Sequence, residues 1–118
     1  MKHSRIGLSR IVYATGYSIK GLIAAWKNEA AFRQEVMLAL PLTIVTFFLP
    51  VTKIEQVLLV GCLVLILIAE LFNSALEAVV DRISTEHHQL SGRAKDIGSA
   101  AVFIALCFAV FTWAWILC

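Results

Sequence analysis

The chain has 118 residues, of which 60% are hydrophobic and 15% charged, and its mean hydropathy is +0.86; ordinary soluble domains hold only about 45–50% apolar residues. These values exclude a typical soluble domain and point to a membrane protein of one domain. A net charge of +2 is too small to carry a nucleic-acid surface, and so short a chain cannot by itself shield a reaction site from both lipid and water, so self-association is expected.

The N-terminus, MKHSRIGLSR, is basic but leads into no uninterrupted apolar run with a cleavage site, so no removable signal peptide is expected. Over about residues 5–28, Leu8, Val12, Thr15, Ile19, Leu22 and Trp26 recur at three- and four-residue steps, with Arg10, Tyr17, Ala24 and Asn28 opposite. This periodicity predicts an amphipathic helix lying in the membrane interface, apolar stripe toward the acyl chains. Gly7, Gly16 and Gly21 weaken it intrinsically, so the membrane or a partner must supply the rest.

Three membrane spans are expected, over about residues 30–49, 56–83 and 97–118. The first contains VMLALPLTIVTFFL, with Arg33 and Glu35 snorkelling to the headgroups and Pro41 as a possible kink. LPVTKIE forms the outer turn. The second is apolar from Val57 to Ala69 and continues helically through an acid-bearing segment to about Ile83. The last offers 22 residues without a charge, enough for the roughly 20 that a bilayer core needs. Lys and Arg set the orientation: Lys53 is the one basic residue outside the N-terminal 35 residues and the 82–96 loop, so those two regions are cytoplasmic and the C-terminus faces outward. Cys62, Cys107 and Cys118 lie in apolar runs and read as small packing residues.

The informative stretch is AELFNSALEAVVDRI, residues 69–83. At 100° per residue, Glu70, Asn73, Glu77 and Asp81 fall at about 0, 300, 340 and 20 degrees, one stripe of a helix. If the span begins at Val57, Glu70 lies about 20 Å along a roughly 30 Å core and Glu77 at its cytoplasmic edge. A carboxylate at that depth needs protein, water, a cation or a substrate beside it. Asn73 alone would suit interhelical hydrogen bonding; two acids on one stripe fit a functional site better. Asp81 fits equally a surface pairing with Arg82 or Arg93. Glu29, in WKNEAAFRQE, falls on the same boundary as Glu77, so the two are candidates to share Mg²⁺ with phosphate oxygens and water, the sparse oxygen set this ion favours. The inner loop brings Glu86, His87, His88, Arg93, Lys95 and Asp96 above the membrane, with Lys95 placed to hold a phosphate. The adjacent histidines diverge on a helix and no further Cys or His completes a metal set. Gly98, Ser99, Ala101, Ala105 and Ala109 read as close-packing positions, with Ser99 also near enough to the surface to touch a substrate. No GxxxxGK[ST], GxGxxG, HRD or DFG sequence is present, so no soluble kinase fold is indicated.

GYSIKGLIAAWKNEAAFRQE, AELFNSALEAVVDRI and LSGRAKDIGSAAV resemble, in order and separation, the three signature stretches of the prokaryotic diacylglycerol kinases, and the similarity spans nearly the whole chain. The resemblance implies an all-α integral membrane protein of the bacterial inner membrane: a homotrimer of three-span subunits, each with an N-terminal surface helix. It also implies ATP-dependent phosphorylation of the primary hydroxyl of diacylglycerol. Carried over by position, Glu70 matches the general base with Asn73 beside it, and Glu29 and Glu77 match the magnesium pair. Arg10, Tyr17, Glu86, His88, Lys95 and Asp96 match nucleotide positions; Arg33, Gln34, Glu35 and Ser99 match the lipid side. Ile19 stands where the family usually has Trp, His87 where an aromatic is common and Gln89 where an acid is common. Phosphoryl transfer needs in-line positioning, charge neutralisation and a proton acceptor, and these residues supply each. The alternatives are a kinase of another lipid alcohol such as undecaprenol, which would share the phosphate-handling residues, and a proton-coupled small multidrug transporter, which would need four spans. A noncatalytic membrane subunit leaves the clustered acids unexplained.

Overall fold

The computed structural model describes residues 7–83 and 88–118, and these are all helical apart from short connections: α1 (Gly7–Asn28), α2 (Ala30–Thr46), α3 (Lys53–Ile83) and α4 (Gln89–Leu117). Central α3 packs against α4 along most of its length and against α2, while α1 touches mainly α2. Among the described residues, α3 and α4 are the two helices long and apolar enough to cross a membrane. The second half of α3 is where that apolarity gives way to acids, and α2 and α4 flank it there.

The interior is thin and sets small side chains of α2 and α4 against aliphatic ones of α3. Ala39 of α2, Cys62, Leu63 and Ile66 of α3, and Ala105 and Ala109 of α4 form the buried cluster. Alanines at facing positions let helix backbones approach, which is how helices associate where lipid removes most of the hydrophobic drive. Two polar contacts fix the register. Trp113 Nε1 donates to the Leu59 carbonyl at 3.0 Å across α3 and α4, and Gln56 Nε2 donates to Thr46 Oγ1 at 3.2 Å across α2 and α3. Phe72, Phe103, Phe111 and Trp115 point away from this interior and are exposed in the single chain. The stripe of α1 is largely exposed as well: Leu8, Val12, Ile19, Leu22 and Trp26 keep much of their surface open in the single chain, and Ala25 is its one buried residue.

Helix ends depart from the expected bounds for local reasons. α2 stops at Thr46, not 49, because Thr46 Oγ1 turns back on the Thr43 carbonyl at 2.6 Å, and Phe47 and Phe48 donate to Ile44 and Val45 in tight i to i−3 bonds. Its 17 residues make it shorter than a full bilayer core requires. Pro41 lies inside α2 without interrupting it. α3 begins three residues early, at Lys53, because Thr52 and Glu55 make a reciprocal capping box: Thr52 N to Glu55 Oε1 at 2.9 Å and Glu55 N to Thr52 Oγ1 at 3.1 Å. α4 begins at Gln89, eight residues before the apolar run, so much of the expected inner loop is its first two turns. Of the cysteines, Cys62 is buried as expected, whereas Cys107 and Cys118 are exposed.

Candidate functional site at the α2, α3 and α4 junction

The acidic stripe of α3 faces the helices packed on it. Glu70 is only 6% exposed, and its carboxyl neighbours that of Glu35 on α2. Oε1 of Glu35 is buried and takes no hydrogen bond. Two facing carboxyls need a donor between them, a proton or the hydroxyl of a ligand. One turn on, Asn73 lies against Gly98 of α4. At the end of the stripe Asp81 Oδ1 pairs with Lys95 Nζ at 2.7 Å, so its partner is neither Arg82 nor Arg93. The hydrogen bond to Asp81 holds the Lys95 ammonium above the ordinary lysine range, and the negative charges of Asp81 and Glu77 add to it.

That shift has a checkable sign. A lysine whose folded value is raised contributes stability fully below its unfolded value of about 10.4 and loses it as pH rises through the folded value. Asp81→Asn is expected to lower the alkaline titration midpoint of Lys95, followed by NMR of its side-chain carbon or nitrogen. An unmoved midpoint contradicts the pairing.

The corner between α1 and α2 sets a second wall. Glu29 is the single residue that breaks the helical run, with extended backbone at φ −118° and ψ 103°, and its side chain makes no capping hydrogen bond. Arg33 folds back instead: its guanidinium donates to the Trp26 carbonyl at 2.6 Å and the Lys27 carbonyl at 3.2 Å, a cation at the C-terminal end of α1. Between α1 and α3 this leaves a largely apolar cleft of about 710 Å³, walled by Leu22 and Ala25 on one side and Leu71, Ser74 and Ala78 on the other, with Glu29 at its rim. Ser74 escaped the sequence reading. It is 9% exposed, and its Oγ has no hydrogen-bond partner. Its signal was its place directly after Asn73, on the flank of the stripe that meets α1.

The remaining candidates are more dispersed. Arg10 and Tyr17 are exposed on α1, Gln34 on α2, and Asp96 and Ser99 on α4. His88 caps α4, its Nδ1 accepting from the Leu90 amide at 3.1 Å. Glu86 lies outside the described residues. Glu35 with Glu70, Asn73 with Gly98, and the Glu77, Asp81 and Lys95 group are the neighbours that the fold brings together. Among the described residues no three His, Cys, Asp or Glu side chains gather as a complete metal-ligand set. The donor chemistry of Glu29 and Glu77 nonetheless suits Mg²⁺, which takes one or two carboxylates and completes its shell with substrate phosphates and water. The Glu29 carboxylate, uncommitted to its own helix end, is available for that task.

Comparison with known proteins places these features in a family. Residues 16–117 match the family model described as prokaryotic diacylglycerol kinase. The protein named diacylglycerol kinase from Escherichia coli (strain K12) is 55% identical over 113 residues, covering 96% of this chain and 93% of that one. The diacylglycerol kinase of Haemophilus influenzae is 55% identical over 111 residues, with 94% of each chain covered. The one from Helicobacter pylori (strain J99) is 41% identical over 107 residues, covering 91% of this chain and 84% of its own.

Proposed function

The chain belongs to the prokaryotic diacylglycerol kinase family, and we propose that it transfers the γ-phosphoryl group of ATP to the primary hydroxyl of diacylglycerol, forming phosphatidic acid and ADP at the cytoplasmic face of the bacterial inner membrane. The observation that carries this reading is Glu70, an acid buried among apolar helices on the same stripe as Glu77 and Asp81.

Glu70 takes the proton of the lipid hydroxyl as its oxygen bonds to the γ-phosphorus and the bond to the β-phosphate oxygen breaks. Glu35, across from it, holds the alcohol in register, and Asn73 stands beside it one turn on along the same stripe. A hydroxyl entering between Glu35 and Glu70 supplies the donor that the two carboxyls require. Glu29 and Glu77 hold Mg²⁺, which neutralises triphosphate charge when bound. Lys95 exchanges Asp81 for a phosphate oxygen, and Arg10, Tyr17, Glu86, His88 and Asp96 complete the nucleotide contacts. Arg33, Gln34 and Ser99 lie on the lipid side. The α1–α3 cleft falls within the roughly 300–1,000 Å³ range of small-molecule sites, and its apolar walls suit acylglycerol chains.

The membrane arrangement follows from the same reading. α2, extended by the turn at 47–49, is the third span beside α3 and α4, with the N-terminus cytoplasmic and the C-terminus outside. The uncovered stripe of α1 lies in the interface, and the exposed faces of α3 and α4 meet lipid or the other subunits of a homotrimer.

The direct test is phosphate incorporation from labelled ATP by purified protein in mixed micelles, with diacylglycerol and undecaprenol offered side by side. Labelled phosphatidic acid is the expected product. Label on undecaprenol alone would transfer the mechanism to another alcohol, and label on neither would remove the kinase assignment.

A further inference from the structure

Of the glycines within the described helices, Gly98 is the one whose missing side chain is replaced by a neighbour. A Cβ at Gly98 would collide with Asn73 Oδ1 and come within 3.1 Å of Leu76 Cδ2, whereas one at Gly16, Gly21, Gly61 or Gly92 would meet nothing within 4 Å. Backbone conformation does not require glycine there, since the positive-φ glycine is Gly7. Glycine in a helix interior is less favourable than alanine. At Gly98 that cost is matched by a notch in α4 into which the Asn73 amide fits.

Among the described residues no hydrogen bond holds the amide oxygen, Asn73 Oδ1, which is buried, and the terminal torsion of an asparagine has only a broad intrinsic preference. Packing against α4, with the glycine Cα–H groups as weak donors at most, therefore sets its direction. Asn73 stands three residues after Glu70 and four before Glu77 on one stripe, so displacing its amide disturbs the surface it shares with both carboxylates.

We propose that Gly98 is a positioning residue for the reaction: its bare backbone forms the notch that seats the Asn73 amide against α4 and so fixes it on the stripe it shares with Glu70 and Glu77. The inference rests on the assignment of Asn73 to the catalytic group, and its test separates the two. In Gly98→Ala the methyl displaces the amide. Turnover is expected to fall by about 10²-fold, the scale of a 1 Å misplacement at a reacting centre, while KM for Mg·ATP and for lipid changes less than threefold.

The double variant Asn73→Ala/Gly98→Ala vacates the space the methyl needs. It is expected to turn over no more slowly than Asn73→Ala alone, and its unfolding midpoint in detergent should recover from the value of Gly98→Ala. Losses that multiply and midpoints that do not recover overturn the proposal, as does full turnover by Gly98→Ala. If Gly98→Ala fails to fold, rescue of folding by Asn73→Ala supports the notch and its absence refutes it. Normal turnover by Asn73→Ala would remove the catalytic assignment and with it the catalytic half of the inference. The unfolding midpoints would still report whether the two residues share the space.

Discussion

Glu70→Gln is expected to fold, to bind Mg·ATP with near-normal affinity, and to lose about 10²–10⁴-fold in turnover, the range that a positioned general base contributes. The glutamine keeps the volume and one acceptor oxygen, so packing between α2 and α4 is disturbed little. It cannot take a proton from an alcohol. It also replaces a carboxyl oxygen facing Glu35 by an amide that donates to it, so the variant should be no less stable than the parent. Retained stability with lost turnover separates this outcome from unfolding. Single-turnover assays at saturating ATP and lipid check it, and wild-type turnover by a well-folded Glu70→Gln protein refutes the role.

Glu77→Gln should act on the other substrate. Removing one of two carboxylates proposed for Mg²⁺ is expected to raise KM for Mg·ATP by at least about tenfold, equivalent to about 1.4 kcal/mol of binding, with excess Mg²⁺ restoring part of the loss. The same change removes a negative charge near Lys95. A KM for diacylglycerol that moves instead, with nucleotide affinity intact, would place Glu77 on the lipid side and break the division of labour along the stripe. Titrations of rate against ATP at several Mg²⁺ concentrations separate these cases.

The stripe itself was legible because helical period and charge act together: acids recurring at three and four residues in an apolar helix have few explanations, and the structure turns them toward α2 and α4. The helical start of α4 was not. SGRAKD is small and charged, carries Gly92 and reads as a loop by composition, yet His88 caps it. Partners across helices were likewise hidden, since periodicity gives the face of a residue and not its opposite number. Asp81 had two nearby arginines to choose from in sequence, and the antiparallel register of α3 and α4 gave it Lys95. Glu35 was assigned to the lipid side by resemblance, with no residue-level sign that it meets Glu70. Arg33 shows the same limit, because helix α1 ends where its carbonyls can take a guanidinium that spacing alone assigns to headgroups or lipid.

The central claim is that one pocket at the inner boundary holds a metal-bound triphosphate within reach of the buried carboxylate. It is tested most directly by binding Mn²⁺ with a non-hydrolysable ATP analogue to the membrane-reconstituted protein carrying carbon-13 in its glutamate carboxyls. Paramagnetic broadening should be strongest at Glu29 and Glu77 and clear at Glu70, and it should weaken for all three when the nucleotide is withdrawn. Broadening confined to Glu55, at the other end of α3, or unchanged by nucleotide, would contradict the account.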